Sequence, residues 1–288
     1  MIPLALLASL IAAPSAHAEA QSGPADAADP TRNSTQRNPA VLADRPDAAS
    51  SGATTELTMG VAAWEGDFGA PSRSDITAVL VNLRQRVGPV RIDATLPWMR
   101  VVSSSTIFTG IDGTPLVVAP AIPMGRRERK GVGDLTLGAS WLALREAQAG
   151  LNIDVSARAK LPTAGDSTQL STGKTDYAFG IEASRTMGAI TPVVRAKYRI
   201  FGDPPGWRIR DGFATSLGAA AALFEETVML ISYDFAERTS RFIKPSHEIV
   251  AATSAPIGRH FRLTAYGSAG LSSGAAAFSG GTSLTLRF

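Results

Sequence analysis

The chain has 288 residues, a formal net charge of +3 and no cysteine. The lack of cysteine excludes structural disulfides, thiolate metal sites, a cysteine nucleophile and a lipid-modified N-terminal cysteine. Charged residues make up 18% of the chain, below the roughly 25% of average globular proteins, and no Lys/Arg run is interleaved with aromatics, which argues against nucleic acid as a partner.

Residues 2–13 form a short apolar run, followed by Pro14 and by Ala16-His17-Ala18, an A-x-A cleavage pattern. Residues 1–18 therefore read as a secretory signal peptide, although no Lys or Arg precedes the apolar run. The run is too short for a spanning helix, and no later stretch reaches the roughly 20 apolar residues one needs. Residues 19–53 are rich in Ala, Asp, Ser, Pro and Gly, with Val41-Leu42 as their one aliphatic pair. Such a segment cannot bury enough apolar area to offset its ordering entropy, which predicts a disordered periplasmic tail.

Residues 54–288 divide into about twelve alternating segments separated by turn signals. The alternation predicts strands over Glu56–Trp64, Asp75–Arg86, Val90–Val102, Asp134–Leu144, Leu151–Leu161 and Asp176–Ser184, then Val193–Phe201, Phe213–Leu223, Thr227–Ala236, Glu248–Ile257, Phe261–Gly270 and Ala276–Phe288. Their lengths approach the 9–11 residues of a tilted membrane strand. The connections sort by parity. Even-numbered ones are short, as at Gly88-Pro89, Gly188-Ala189 and Gly258-Arg259, and odd-numbered ones are long, except for Ser272-Ser273-Gly274. Short periplasmic turns and long extracellular loops give this pattern in a transmembrane antiparallel β-barrel, whereas a soluble sandwich has no reason to sort its loops. In the final segment Leu284, Leu286 and Phe288 share one face, while Ser283, Thr285 and Arg287 take the other.

The same alternation assigns faces. In Leu151–Leu161 every odd position is apolar and every even position polar. Basic residues facing lipid cost roughly 2–4 kcal/mol each at the midplane, so Asp154, Arg158 and Lys160 are expected to face the lumen. Parity adds Asp176 and Glu182, then Arg195, Lys197 and Arg199, and from other strands Arg84, Arg86, Asp93, Asp134, Asp234, Arg262 and Arg287. Trp141, Tyr177, Phe179, Tyr198, Phe235 and Phe288 fall on the lipid side, as an aromatic girdle would. If Met187 faces Ile190 across the tight turn, Glu182 faces Arg195 and Asp176 lies diagonal to Arg199. Two readings of this charge ladder stay open. The pairs hold the wall together at about 0.2–1 kcal/mol each, or they line a polar, slightly basic, wet conduit that tolerates reversal of Arg195, Lys197 and Arg199 to Glu.

A family resemblance rests on residues 131–180. Gly131-Val132-Gly133-Asp134 opens one strand, Lys160-Leu161-Pro162-Thr163 ends the next, and Leu170-Ser171-Thr172-Gly173-Lys174-Thr175-Asp176 leads into a third. This resembles the outer-membrane family labelled "MetA-pathway of phenol degradation", with Ala164 where Gly is usual and Ser171 in place of the first Gly of the loop. The resemblance implies a bacterial outer-membrane channel for passive passage of small molecules, hydrophobic or aromatic compounds being the class its label suggests. The barrel class also implies that Phe288 is an assembly signal read by the barrel-assembly machinery. A closed structural or binding barrel is the alternative.

An enzyme is not expected. His247 is the one candidate base on the outer side, and Ser246 beside it points to the opposite face of a strand. No nucleophile elbow, phosphate loop or metal-ligand spacing occurs, and no cofactor or metal is implied. The third connection carries Ile107 to Val118 around Asp112-Gly113, a hairpin signal too short to span a bilayer. It is expected as an extracellular flap or an inward plug. Arg126-Arg127-Glu128-Arg129-Lys130 follows as a solvated charge run or a contact for lipopolysaccharide phosphates.

Overall fold

The computed structural model describes residues 53–288 apart from 71, 120–124, 166–167, 225 and 242. The expected signal peptide and nearly all of the 19–53 tail lie outside the described residues. Strands β1 (Thr54–Gly66), β2 (Ser74–Val87) and β3 (Val90–Ser103) form the first wall segment. A small hairpin follows, β4 (Thr106–Thr109) and β5 (Pro115–Ala119). The wall resumes with β6 (Arg127–Val132), β7 (Leu135–Leu144), β8 (Asn152–Leu161), β9 (Asp176–Ser184) and β10 (Ile190–Ile200). It ends with β11 (Gly212–Phe224), β12 (Thr227–Ala236), β13 (Ser246–Pro256), β14 (Phe261–Gly270) and β15 (Phe278–Arg287).

Apart from β6 and β7, which both pair with β3, successive wall strands pair antiparallel, and β1 pairs with β15 from Glu56↔Arg287 to Glu65↔Phe278, which closes the sheet. Closure removes the free edges that would otherwise expose unpaired backbone groups to lipid. The backbone N–H of Phe288 donates to Thr55 O at 2.9 Å across this seam.

Counting β6 and β7 as one interrupted strand, the described residues form a barrel of twelve strands. Both pairs with β3, β6 along Trp98–Ser103 and β7 along Val90–Thr95. Between Trp98↔Val132 and Thr95↔Thr136, two residues of β3 face three of the partner. This is a β-bulge. It lies opposite Pro97, which has no N–H to give, and Gly133 N bonds Pro97 O at 2.8 Å across the break. The extra residue flips the face parity, so the odd positions Arg129 and Gly131 are the less exposed ones before it, and the even positions Asp134 and Thr136 are buried after it. The expected fourth strand, Asp134–Leu144, is thus only the second half of a wall strand that begins at Arg127.

Alternation along the strands sorts the faces. In β1, Met59 and Val61 stand 56% and 51% exposed on the outside while Thr58, Ala62 and Trp64 are buried inside. Leu83, Ile92, Phe179, Ile181, Leu217 and Ile231 continue the exposed apolar exterior around the barrel. A contiguous apolar band of this kind is a lipid-facing surface. Trp141, Tyr177, Phe179, Tyr198 and Phe288 are exposed on it, and Phe235 is half-buried against the His247 ring at 5.0 Å. The short connections turn tightly, with Gly88 and Gly188 at φ 57 and 66, a region that disfavours side chains with a Cβ. The last connection runs over 271–277, longer than Ser272-Ser273-Gly274 suggested, and ties back through Ser272 Oγ to Pro245 O at 2.8 Å.

Candidate functional site: the barrel interior

The third connection folds into the barrel. β4 and β5 form a separate two-stranded sheet, register Ile107↔Val117 and Thr109↔Pro115, with a turn of 3₁₀ helix at Ile111–Gly113. Asp112 at the tip has φ 57 and Gly113 has φ 73, so the chain reverses through two left-handed residues. Of the two sequence expectations, the plug is observed and the flap is not. Its apolar side chains explain the direction. Ile107 and Val117 are 1% exposed in a cluster with Trp64, Ile76, Met99 and Val101, and Ile111 and Leu116 pack with Ala178, Phe201 and Ile209.

The wall supplies charge to this tip. Asp112 meets Arg158 and Lys197, each at 2.6 Å, and Arg158 also reaches Asp93 at 3.1 Å. Burial pushes the Asp112 carboxyl up, but Arg158 and Lys197 outweigh it and hold it at about 2. Lys160 lies between Asp134 at 3.0 Å and Asp176 at 3.1 Å, and its ammonium also reaches Thr109 O. Asp176 accepts from the backbone N–H groups of Ile111 and Gly202, and Asp134 from Ala164 N and the Ser171 hydroxyl. The residues singled out between 131 and 180 thus form one anchor that joins two loops to the plug.

Most of the other charged interior residues are paired as well. Glu182 takes Arg195 at 2.6 Å, and their register, Arg195↔Glu182, is the one the Met187–Ile190 turn requires. Arg91 meets Asp154 at 3.6 Å, and Arg84 and Arg287 meet Glu56 at 3.5 and 3.0 Å. Ser216 donates to Asp234 at 2.6 Å, and Arg262 reaches Glu226 at 3.3 Å. Arg86 stands half-buried beside Asp154 and Glu182 near the short turns. Arg199, 1% exposed, lies over the Phe201 ring at 5.5 Å, and its hydrogen bonds among the described residues are 3.4 Å contacts to Thr114 Oγ1 and Glu237 O.

Two expectations need correction. The lumen is not a wet conduit indifferent to the sign of its charges: Arg195, Lys197 and Arg199 are at most 10% exposed. Reversal to Glu would set carboxylates against Glu182 and Asp112, and unpaired buried charge is strongly destabilising. Nor is the interior polar throughout. On β1–β3 and β12–β14 an apolar patch of Trp64, Ile76, Met99, Leu230, Val250 and Tyr266 is turned inward and buried, beside polar neighbours such as Thr58, Asn82, Ser232 and Thr264. Sequence reasoning missed this patch because the inward face of those strands was read from their charged residues, Arg84, Asp93, Asp234 and Arg262, and not from the apolar ones between them. It also missed Asp112 as a charge partner, although the Asp-Gly turn signal was visible.

Small cavities border the plug. One of about 60 Å³ lies between Trp64, Leu80, Pro97, Met99 and Asp112, and one of about 50 Å³ on the long-loop side lies between Trp64, Phe68, Ile243, Thr114 and Arg199. A larger one, about 380 Å³, opens among the loops between Ser103–Thr106 and Ala164–Gly173. In the charge run, Arg126 pairs with Asp75, and Arg100 and Lys130 with Glu128. His247 Nδ1 bonds the Tyr233 hydroxyl at 2.6 Å on the outer face. Among the described residues no group of three or more His, Cys, Asp or Glu could hold a metal ion.

No family model matches the chain and no curated protein matches it. Solved structures do. The COG4313 outer membrane channel from Pseudomonas putida F1 is 15% identical with a TM-score of 0.64, over 85% of this chain and 99% of that one. The P. putida toluene transporter TodX is 10% identical with a TM-score of 0.44, over 88% and 93%. The CymD monoaromatic hydrocarbon channel is 10% identical with a TM-score of 0.42, over 87% and 90%. At such identities likeness establishes architecture, and together with the closed twelve-stranded wall and its apolar exterior it makes this chain an outer-membrane β-barrel.

Proposed function

We propose that the protein is a passive outer-membrane channel for small molecules, closed in this conformation by the β4–β5 hairpin. One observation carries the reading: the object filling the interior is not part of the wall. The hairpin is a sheet of its own, and among the described residues its backbone link to the surrounding loops is at Thr109, which bridges Ser171 and donates its N–H to Leu170 O at 2.8 Å. It is otherwise held by side-chain ion pairs and apolar packing, which can exchange without unzipping a wall strand. A barrel serving only as a scaffold gains nothing from a detachable core. The apolar interior patch around Trp64, Ile76, Met99 and Tyr266 favours hydrophobic or aromatic solutes, the class suggested by the resemblance at 131–180. In this reading the long loops face outward toward lipopolysaccharide, and Phe288 addresses the assembly machinery.

Planar-bilayer recordings test it. The parent should conduct in small or brief steps, and a variant with residues 107–117 replaced by a short Gly-Ser link should conduct several-fold more. No conductance from either protein would favour the closed structural barrel instead.

A further inference from the structure

Three wall cations, Arg158, Lys197 and Arg199, converge on the hairpin tip. Asp112 touches Arg158 and Lys197, and Asp93 touches Arg158. Arg199 has no carboxylate within 4.0 Å among the described residues, although it is 1% exposed. Its Nε is buried without a hydrogen-bond partner, and so is that of Arg158. The nearby Glu237 carboxylate is engaged by the Phe213 N–H at 2.9 Å. A buried guanidinium left short of acceptors is costly unless something else satisfies it. Arg199 also lines the cavity on the long-loop side, together with the apolar side chains of Trp64, Phe68 and Ile243 and the charged residues Glu237, Arg238, Lys244 and Glu248.

We propose that Arg158, Lys197 and Arg199 form a binding site for the carboxylate of a small apolar organic acid, and that Asp112 occupies it as the chain's own stand-in. The proposal deepens the channel reading and rests on it for its role in transport. A solute would descend with its apolar body against Trp64, Phe68 and Ile243 and meet Arg199 first. It would then take over Arg158 and Lys197, and the hairpin tip would be released. Guanidinium groups bind carboxylates through paired, charge-assisted hydrogen bonds, which gives such an exchange its selectivity. The cavities of about 50 and 60 Å³ are too small for a ring while the tip is seated, since a cavity that takes benzene holds about 150 Å³. Entry therefore requires the hairpin to move. A tethered carboxylate competes at an effective concentration of order millimolar, so removing it should tighten solute binding.

Calorimetric titration of the folded full-length protein in detergent tests the site, with benzoate as probe and benzamide as its neutral isostere. Asp112→Asn keeps the shape of the tip, because Asn accepts a left-handed backbone. Asp112→Asn should bind benzoate at least tenfold tighter than the parent, benzamide should bind neither, and adding Arg199→Gln should abolish the gain. Equal affinity of Asp112→Asn and parent, or equal binding of benzoate and benzamide, would overturn the proposal. Folding is checked by the heat-dependent gel mobility of barrels. If Asp112→Asn fails that check, the parent decides: a saturable benzoate signal lost in Arg199→Gln supports the site, and no signal up to the solubility limit overturns it. Bilayer conductance separates the two proposals. Benzoate binding without conductance would leave the site and remove the channel, and conductance without benzoate binding would do the reverse.

Discussion

Replacing Lys160 by Met would test how the plug is anchored. Lys160 is 2% exposed and is the cation shared by Asp134 and Asp176, themselves 2% and 0% exposed. Removing one partner of a buried ion pair costs about 3–5 kcal/mol, because the opposing charge stays desolvated. Here two carboxylates would be left, which alone would favour the upper end. Each keeps two other donors, Ile111 N and Gly202 N for Asp176, and Ala164 N and Ser171 Oγ for Asp134. Proton uptake by one carboxylate also caps the penalty. The expected loss is therefore about 3 kcal/mol, read as a lower urea midpoint for unfolding from lipid vesicles. Adding Asp134→Asn and Asp176→Asn removes the stranded charges and should restore most of the loss. The hairpin should also loosen, since the Lys160 ammonium holds Thr109 O. A Lys160→Met protein within about 1 kcal/mol of the parent would refute the idea that this cluster anchors the plug, as would a triple variant no better than the single one.

Deleting Phe288 should lower outer-membrane yield in cells while leaving unfolding of the purified barrel nearly unchanged, because the residue is 70% exposed and its one seam bond is Phe288 N to Thr55 O; equal yields would count against an assembly role. Leu217→Arg, placed on the 61% exposed outer face of β11, should cost about 2–4 kcal/mol in a bilayer, measurable by the same urea titration. Asp112 faces Arg158 and Lys197 with Arg199 nearby, and its carboxyl is held at about 2. A depressed carboxyl stabilises the folded state above its unfolded value and loses that contribution only as pH falls through the folded one. Conductance should therefore be unchanged between neutral pH and about pH 5, and a rise within that window would show that Asp112 is not the latch.

Local alternation in the sequence determined the wall: which residues lie in strands, which face meets lipid, how the loops sort by end, and the Glu182–Arg195 register at Gly188-Ala189. Those features depend on a period of two and on tight turns, both legible within ten residues. Where an apolar residue also faces inward, as Trp64 does in β1, the period still gives orientation but says nothing of what fills the interior. The bulge at 133–135 reverses parity mid-strand, which hid β6 inside an apparent loop. The fate of the hairpin was decided only in three dimensions. Asp112 finds Arg158 and Lys197, 46 and 85 residues away, and such pairings exist only once the barrel has closed around the loop.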